Sequence, residues 1–290
     1  MGQTNGSMHG KIVLITGANS GIGKETALGI AALDAHVLLV CRDKNKGEAA
    51  QREIQEKTDN ASIDLLPADL ANQHSIRNLA EEVTSSYPHL DVLINNAGLH
   101  HLRRHETIDG YEANFAVNYL APFLLTNLLL DQLKSSAPSR IINTSSRLIL
   151  QAPLDFNDLQ HTKEYPILKT GAMAYCQSKL ALTLFTYELA RHLQGSTVTV
   201  NCYCPGWTRT GLMEGEPRPL SHRLQAMVFA KKPQEGAKTA VYLASSLSVT
   251  AITGRFFEDC HDSPQYQSCY DSLQSQRLWK ISEELTHLHT

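Results

Sequence analysis

The stretch Lys11-Ile-Val-Leu-Ile-Thr16-Gly17-Ala-Asn-Ser-Gly21-Ile-Gly23 decides the fold. Its first six residues are almost wholly apolar, as a strand covered on both faces should be. Three glycines follow, and residues 21–33 then read as a helix. A strand that passes through a glycine turn into a helix is the opening unit of a nucleotide-binding α/β sheet. Glycines let the backbone approach a pyrophosphate closely, and the helix N-terminus supplies N–H donors and the positive end of its dipole. Gly17, Asn19, Ser20, Gly21, Ile22 and Gly23 are therefore the candidate phosphate-binding residues. The spacing is GxxxGxG instead of the commoner GxGxxG. As a bare pattern it is equally at home in a tight structural turn.

Outward from this unit, strands and helices alternate. Apolar runs at 36–41, 63–67, 91–95, 140–144, 197–203 and 254–258 read as strands. Helices are expected over 44–57, 73–86, 111–133, 175–193 and 234–245. Repeated strand–helix units imply a parallel sheet wrapped on both faces with right-handed crossovers. The expectation is an α/β, single-domain Rossmann fold: a doubly wound, seven-stranded parallel sheet. Residues 1–9 read as a flexible N-terminus and 261–290 as a C-terminal extension, with no second domain.

Composition narrows the function classes. With 42% hydrophobic and 19% charged residues the 290-residue chain is globular, not disordered. A net charge of −3 gives no electrostatic case for nucleic acid. Six cysteines lie scattered without a CxxC pair, which suits reduced thiols and offers no ligand spacing for zinc. No run approaches the ~20 apolar residues of a transmembrane helix.

Most motifs that carry chemistry follow a strand. Tyr175 and Lys179 open a helix four residues apart, so phenol and ammonium share one face. A cation held near a tyrosine favours the phenolate and lowers a pKa of about 10, making the pair a proton donor and acceptor for a carbonyl/alcohol couple. Alone, such a pair is more often an ordinary surface contact. After the second strand, Arg42 stands where NAD sites place an acid. A guanidinium there can hold a 2′-phosphate, although Asp43 beside it could pair with it instead. Asp69, followed by Leu70, can accept from an adenine amino group or cap a helix. Asn95-Asn96-Ala97-Gly98, Ser145-Ser146 and Pro205-Gly206-Trp207-Thr208-Arg209-Thr210 each close a strand at the sheet's carboxyl end, where open α/β sheets bind ligands. Asn118 lies inside a long helix, where Asn is disfavoured unless it bonds something specific. His100, His101 and the other histidines read as surface or loop residues. Residues 211–232, rich in Leu, Met, Val and Phe, read as a lid, the alternatives being a helix packed on the core or one lying on a membrane surface.

Taken together, Thr16–Gly23, Asn95–Gly98, Asn118, Ser146, Tyr175/Lys179 and Pro205–Gly206 resemble, in order and spacing, the motifs of the short-chain dehydrogenase/reductase family. Cys41-Arg-Asp43, Ala174-Tyr-Cys-Gln-Ser-Lys179, Pro233-Gln-Glu-Gly-Ala237 and Phe257-Glu-Asp-Cys260 are similar to its retinol dehydrogenase branch. The resemblance implies NADP(H) and hydride exchange between an apolar carbonyl and its alcohol. Tyr175 is then the acid/base, and Lys179 lowers its pKa and holds the nicotinamide ribose. Ser146, not Ser145, orients the substrate oxygen, and Asn118 holds a relay water. The remaining cofactor contacts fall on the glycine turn, Arg42, Asp69, Leu70, Asn96, Ala97, Gly98, Pro205, Gly206, Thr208 and Thr210. Alternatives are a steroid or lipid-ketone reductase and a non-catalytic NADP(H) sensor. The family often pairs through the Tyr175 helix. Here Leu180, Leu184 and Tyr187 offer a second apolar face, so a homodimer is expected. The chain begins almost at its first strand, where many animal members of that branch carry an anchor. The expected setting is cytoplasmic, with association at a membrane surface left open.

Overall fold

The computed structural model describes residues 6–168, 171–209, 211–213 and 230–288. Its core is one sheet whose strands lie in the order β10-β9-β8-β5-β4-β1-β2-β3. These are β1 Ile12–Thr16, β2 His36–Cys41, β3 Ile63–Pro67, β4 Val92–Asn95, β5 Ser139–Thr144, β8 Val198–Cys204, β9 Phe256–Glu258 and β10 His261–Asp262. The seven expected strands pair in parallel. The sheet is eight-stranded, however, because β10 folds back antiparallel on β9. Two residues without apolar periodicity give no strand signal, so β10 is invisible in sequence. A separate hairpin pairs β6 Ile167–Leu168 with β7 Gly171–Ala172.

Chain direction across the sheet reverses at β1. From there β2 and β3 run one way, and β4, β5, β8 and β9 the other. The crevice at this switch point, at the carboxyl ends of β1 and β4, is where such sheets bind ligands. Alternate residues of each strand feed two cores. Val13, Ile15, Val37, Leu39 and Ile94 pack under the helices α1 Gly21–Ala31 and Pro233–Ser245. Leu14, Leu38, Leu93 and Ile141 pack under the helices on the other face. Helix α2 Lys44–Thr58 joins the first of these faces through Ile54, and α3 Gln73–Ser86 the second through Ile76, Leu79 and Val83; they are capped by Asp43 and Asn72, whose carboxylate and amide oxygens accept from backbone N–H groups of the first turns.

The helix expected over 111–133 is interrupted. Ala113–Phe115 leads into a π-helical turn, Ala116–Leu120, and then Ala121–Leu128; together these form α4, and α5 Leu130–Ser135 follows. Next come α6 Met173–His192, α7 Pro233–Ser245 and α8 Ser272–Thr286. Residues 6–9, part of the stretch expected to be flexible, are tied down: Met8 is buried and its N–H donates to Leu33 O at 2.8 Å.

The second face of α6 does not stay open. Leu180, Leu184 and Tyr187 are buried within the chain. Tyr187 stacks edge-on against Tyr270, and α8 brings Trp279 against Phe185. The expectation of a two-fold contact through α6 therefore loses its basis, because the C-terminal extension covers this helix. Among the described residues no helix is long and apolar enough to cross a membrane.

Candidate active site

The glycine turn is built by close approach. Gly17 has φ +67°, and a Cβ there would stand 2.8 Å from Ala97 Cα. A Cβ on Gly23 would meet Gly17 O at 2.2 Å, so no side chain fits. Thr16 locks the turn to β4: its hydroxyl accepts from the N–H groups of Asn96 and Ala97, each at 3.0 Å. Asn96 donates from Nδ2 to Thr16 O at 2.9 Å. Asn96 and Ala97 thus shape the crevice as much as they line it.

A groove of about 440 Å³ runs from this turn along the carboxyl edge. Every residue of the Gly17, Asn19–Gly23 set lines it, as do Asn96, Ala97 and Gly98. At one end stand Arg42, Asp69 and Leu70; at the other, Tyr175, Lys179 and Pro205. Arg42 is exposed, and Asp43 is engaged in capping α2, accepting from Lys46 N at 3.1 Å. Asp69 accepts from Ala71 N at 3.0 Å. Gly206 and Thr208 fall outside the lining and serve the turn itself. Gly206 has φ +75°, and Thr208 Oγ1 donates to Pro205 O at 3.1 Å. Thr210 lies outside the described residues. Glycine turn and helix N-terminus fit the pyrophosphate of a nicotinamide dinucleotide.

Tyr175 and Lys179 project from the first turns of α6 and are both buried. Lys179 Nζ donates to Thr144 O at 2.8 Å, which anchors it to the end of β5. The Ser146 hydroxyl stands beside the Tyr175 phenol, where it favours the phenolate. Ser145 turns away, paired with Thr183 Oγ1 at 2.7 Å. Asn118 occupies the π-helical turn, where a widened backbone admits an interior Asn. It binds the Leu99 backbone in both directions, at 2.8 and 2.9 Å, and donates to Ser178 Oγ at 3.0 Å. A carbon built on Gly98 would lie 3.1 Å from Asn118 Oδ1 and 3.5 Å from Lys179 Nζ, so the two polar atoms flank one point.

Electrostatics depart from the expectation of a depressed phenol. Burial pushes Tyr175 above its ordinary range, and the neighbouring Ser146 hydroxyl offsets only part of this. Burial also lowers the Lys179 ammonium to about 8. A low-dielectric site disfavours both charges, so Lys179 is less fully charged than its residue type suggests.

Several functional neighbours were not legible as such. Thr16 and Thr144 act through backbone contacts that no motif announces. His100, read as a surface or loop residue, is buried against the Tyr175 ring. On the substrate side Tyr175, Cys176 and Ala152 form a small apolar cluster with Leu148, Leu168, Met173 and Leu212. Of the expected lid only 211–213 and 230–232 are described, and 214–229 lie outside the described residues.

A parallel sheet with a glycine turn at its switch point and a Ser–Tyr–Lys set on the same edge defines a dehydrogenase of the short-chain type. Residues 11–155 and 168–219 match the model of the short chain dehydrogenase family, and the chain belongs to that family. It is similar to retinol dehydrogenase 14 of Mus musculus, 43% identical over 293 residues that cover 96% of this chain and 86% of the relative. Retinol dehydrogenase 13 of Homo sapiens is 42% identical over 288 residues, covering 96% and 85%. Among solved structures, an uncharacterized protein from Mycobacterium paratuberculosis superposes with a TM-score of 0.76 at 30% identity, over 98% of this chain and 96% of that one. A short chain dehydrogenase from Burkholderia cenocepacia J2315 in complex with NADP reaches 0.68 at 25% identity, over 87% and 96%. The protein is an enzyme, an oxidoreductase of the carbonyl/alcohol couple.

Proposed function

We propose that this enzyme uses NADP(H) to interconvert an apolar aldehyde or ketone, retinal among the candidates, with its alcohol. The observation that carries the reading is the pairing of Tyr175 with Lys179, beside Ser146, between a dinucleotide-shaped groove and an apolar cluster. The nicotinamide supplies or takes the hydride. Ser146 and Tyr175 bind the reacting oxygen, and Tyr175 delivers or removes the proton at that atom. Lys179 holds the ribose side and its charge, and Asn118 Oδ1 offers the acceptor for a proton path to it. Leu148, Leu168, Met173 and Leu212 favour an apolar substrate body and exclude water. NADP preference is supported by exposed Arg42 on the groove wall beside Lys46, and by NADP in the Burkholderia relative. Among the described residues, five cysteines are free and buried, which suits a reducing, cytoplasmic setting.

The test is a panel of aldehydes, ketones and alcohols assayed with NADPH, NADH and their oxidised forms, following nicotinamide absorbance. Turnover of apolar carbonyls with NADPH favoured is expected. Arg42→Ala should weaken NADPH selectively, by the roughly 1.5–3 kcal/mol of a charge-assisted pair. An equal loss for both cofactors would show that Arg42 is only structural.

A further inference from the structure

We propose that His100 is a positioning residue for Tyr175: its neutral imidazole holds the phenol ring by its face and ties the start of the catalytic helix to the β4 loop. This rests on the reading of Tyr175 as the proton donor and acceptor.

Three contacts converge on this one residue. First, the His100 ring is 4% exposed and lies almost parallel to Tyr175, with centroids 4.0 Å apart and planes 14° apart. The Ser146 hydroxyl beside the phenol oxygen does nothing to set the plane of the ring. A flat partner at stacking distance holds that plane. Second, the N–H of Ala172, the N-cap residue of α6 three positions before Tyr175, donates to His100 Nε2 at 3.2 Å. A donor facing Nε2 requires a lone pair there, so the ring that fits is neutral with its proton on Nδ1. Third, the His100 N–H donates to Leu212 O at 3.1 Å, in the short 3-10 turn Gly211–Met213 beyond the Pro205 turn. One side chain and its backbone therefore join the loop after β4, the first turn of α6 and the segment that closes on the phenol. A leucine could fill the volume but could neither hold a ring plane nor accept from Ala172. Proton transfer depends steeply on the placement of the donor, and a 1 Å error can lower a rate about 10²-fold.

The experiment compares His100→Ala, His100→Phe and His100→Gln in the full chain, with wild type and Tyr175→Phe assayed in parallel. Steady-state rates are measured with NADPH and the best carbonyl of the panel, and thermal unfolding is recorded for each variant. His100→Ala should lower kcat by about 10–100-fold. Its KM for NADPH should stay within about two-fold, because the glycine turn is untouched. His100→Phe should recover part of the rate through the stack, and His100→Gln another part through the acceptor. A kcat for His100→Ala within about three-fold of wild type overturns the proposal. So does a loss of NADPH affinity as large as the loss of kcat, or an equal loss in all three variants that tracks their unfolding temperatures. If His100→Ala does not fold, Phe and Gln decide. Intermediate kcat in both, with NADPH KM unchanged, supports the clamp; wild-type kcat in both sinks it. An active Tyr175→Phe, or an inactive wild type, would instead remove the reading beneath the proposal and the proposal with it. That outcome is distinct from an inactive Tyr175→Phe beside a fully active His100→Ala.

Discussion

Tyr175 and Lys179 share one buried corner, and burial pushes the two groups toward their neutral forms by opposite shifts of pKa. The raised phenol stays protonated through the neutral range, which suits a donor to a carbonyl. Tyr175→Phe keeps the ring and deletes the proton, so carbonyl reduction should fall by about 10²–10⁴-fold. NADPH affinity, measured by fluorescence titration, should barely change, since the groove is lined mainly by other residues. Lys179 behaves differently. Its ammonium drops from 10.5 to about 8 on burial, so between those values the unfolded chain binds a proton that the folded chain has released. Stability therefore rises with pH across that window, and below pH 8 the buried charge costs about 3 kcal/mol at ~1.4 kcal/mol per pH unit. Lys179→Met should resist urea better than wild type at pH 7, by up to roughly that amount, while losing turnover. The loss of the Thr144 hydrogen bond will trim the gain. Equal urea midpoints at pH 7 and pH 10 in wild type would contradict the argument. Tyr175 and Lys179 were legible in sequence because i and i+4 on a helix must share a face. Their charge states were not, because burial depends on what β5 and the β4 loop bring alongside. His100 escaped for the same reason: its value lies in a ring that arrives from another part of the chain.

At the level of elements, the glycine turn was readable because its constraint is local. Gly17 needs a positive φ, and Gly23 must lie against Gly17 O. Gly23→Ala places a methyl 2.2 Å from that carbonyl and 2.4 Å from Asn96 Nδ2, both parts of the lock between β1 and β4. Backbone has to move, so a loss of about 1–3 kcal/mol in urea unfolding is expected, together with loss of NADPH binding. Binding retained at wild-type strength would mean that the turn does not hold the pyrophosphate. The parallel strands were equally plain, since two covered faces force continuous apolar runs. The break in α4 was not. Its residues keep helical apolarity throughout, and only Asn118 signals that one turn is wound differently to carry it. Of the apolar residues in the loop over 147–174, Leu148 joins the cluster at Tyr175 while Ile149 turns into the main core. Tyr165 is spent on buried Glu112, donating to Oε1 at 2.9 Å. A loop pinned by a buried carboxylate is a wall of the site more than a flap.

Across the whole molecule, the C-terminal extension decides what α6 can meet. Helix α8 lays Trp279 against Phe123, Phe185 and His192, with centroids 5.1, 5.7 and 4.2 Å away. Its Ser282 hydroxyl pairs with the buried Tyr119 hydroxyl at 2.6 Å. Tyr111 OH and Gln73 Nε2 donate to Leu285 O, and Arg77 to Thr286 O, so the last turn's carbonyls are met by the rest of the fold. The apolar periodicity of α6 was correctly legible as two faces to be buried. Which surface would cover the second face could not be read, because a copy and a C-terminal helix satisfy the same pattern. With α8 in place, a dimer through α6 requires that helix to leave, at the expense of the tryptophan contact and these bonds. Sedimentation velocity at micromolar concentration should therefore show a monomer. Trp279→Ala should lower unfolding stability by roughly 2–4 kcal/mol, somewhat under a fully buried aromatic because Trp279 is half-buried. Tyr175 and the groove lie at the carboxyl edge of the sheet, on the opening turns of α6, whereas Trp279 meets its later part at Phe185 and His192. The surviving folded fraction should accordingly reduce carbonyls at nearly the wild-type kcat. A stable wild-type dimer that Trp279→Ala leaves intact would show that subunits meet through another surface. A dimer formed only by the variant would show that α8 is what keeps the copies apart.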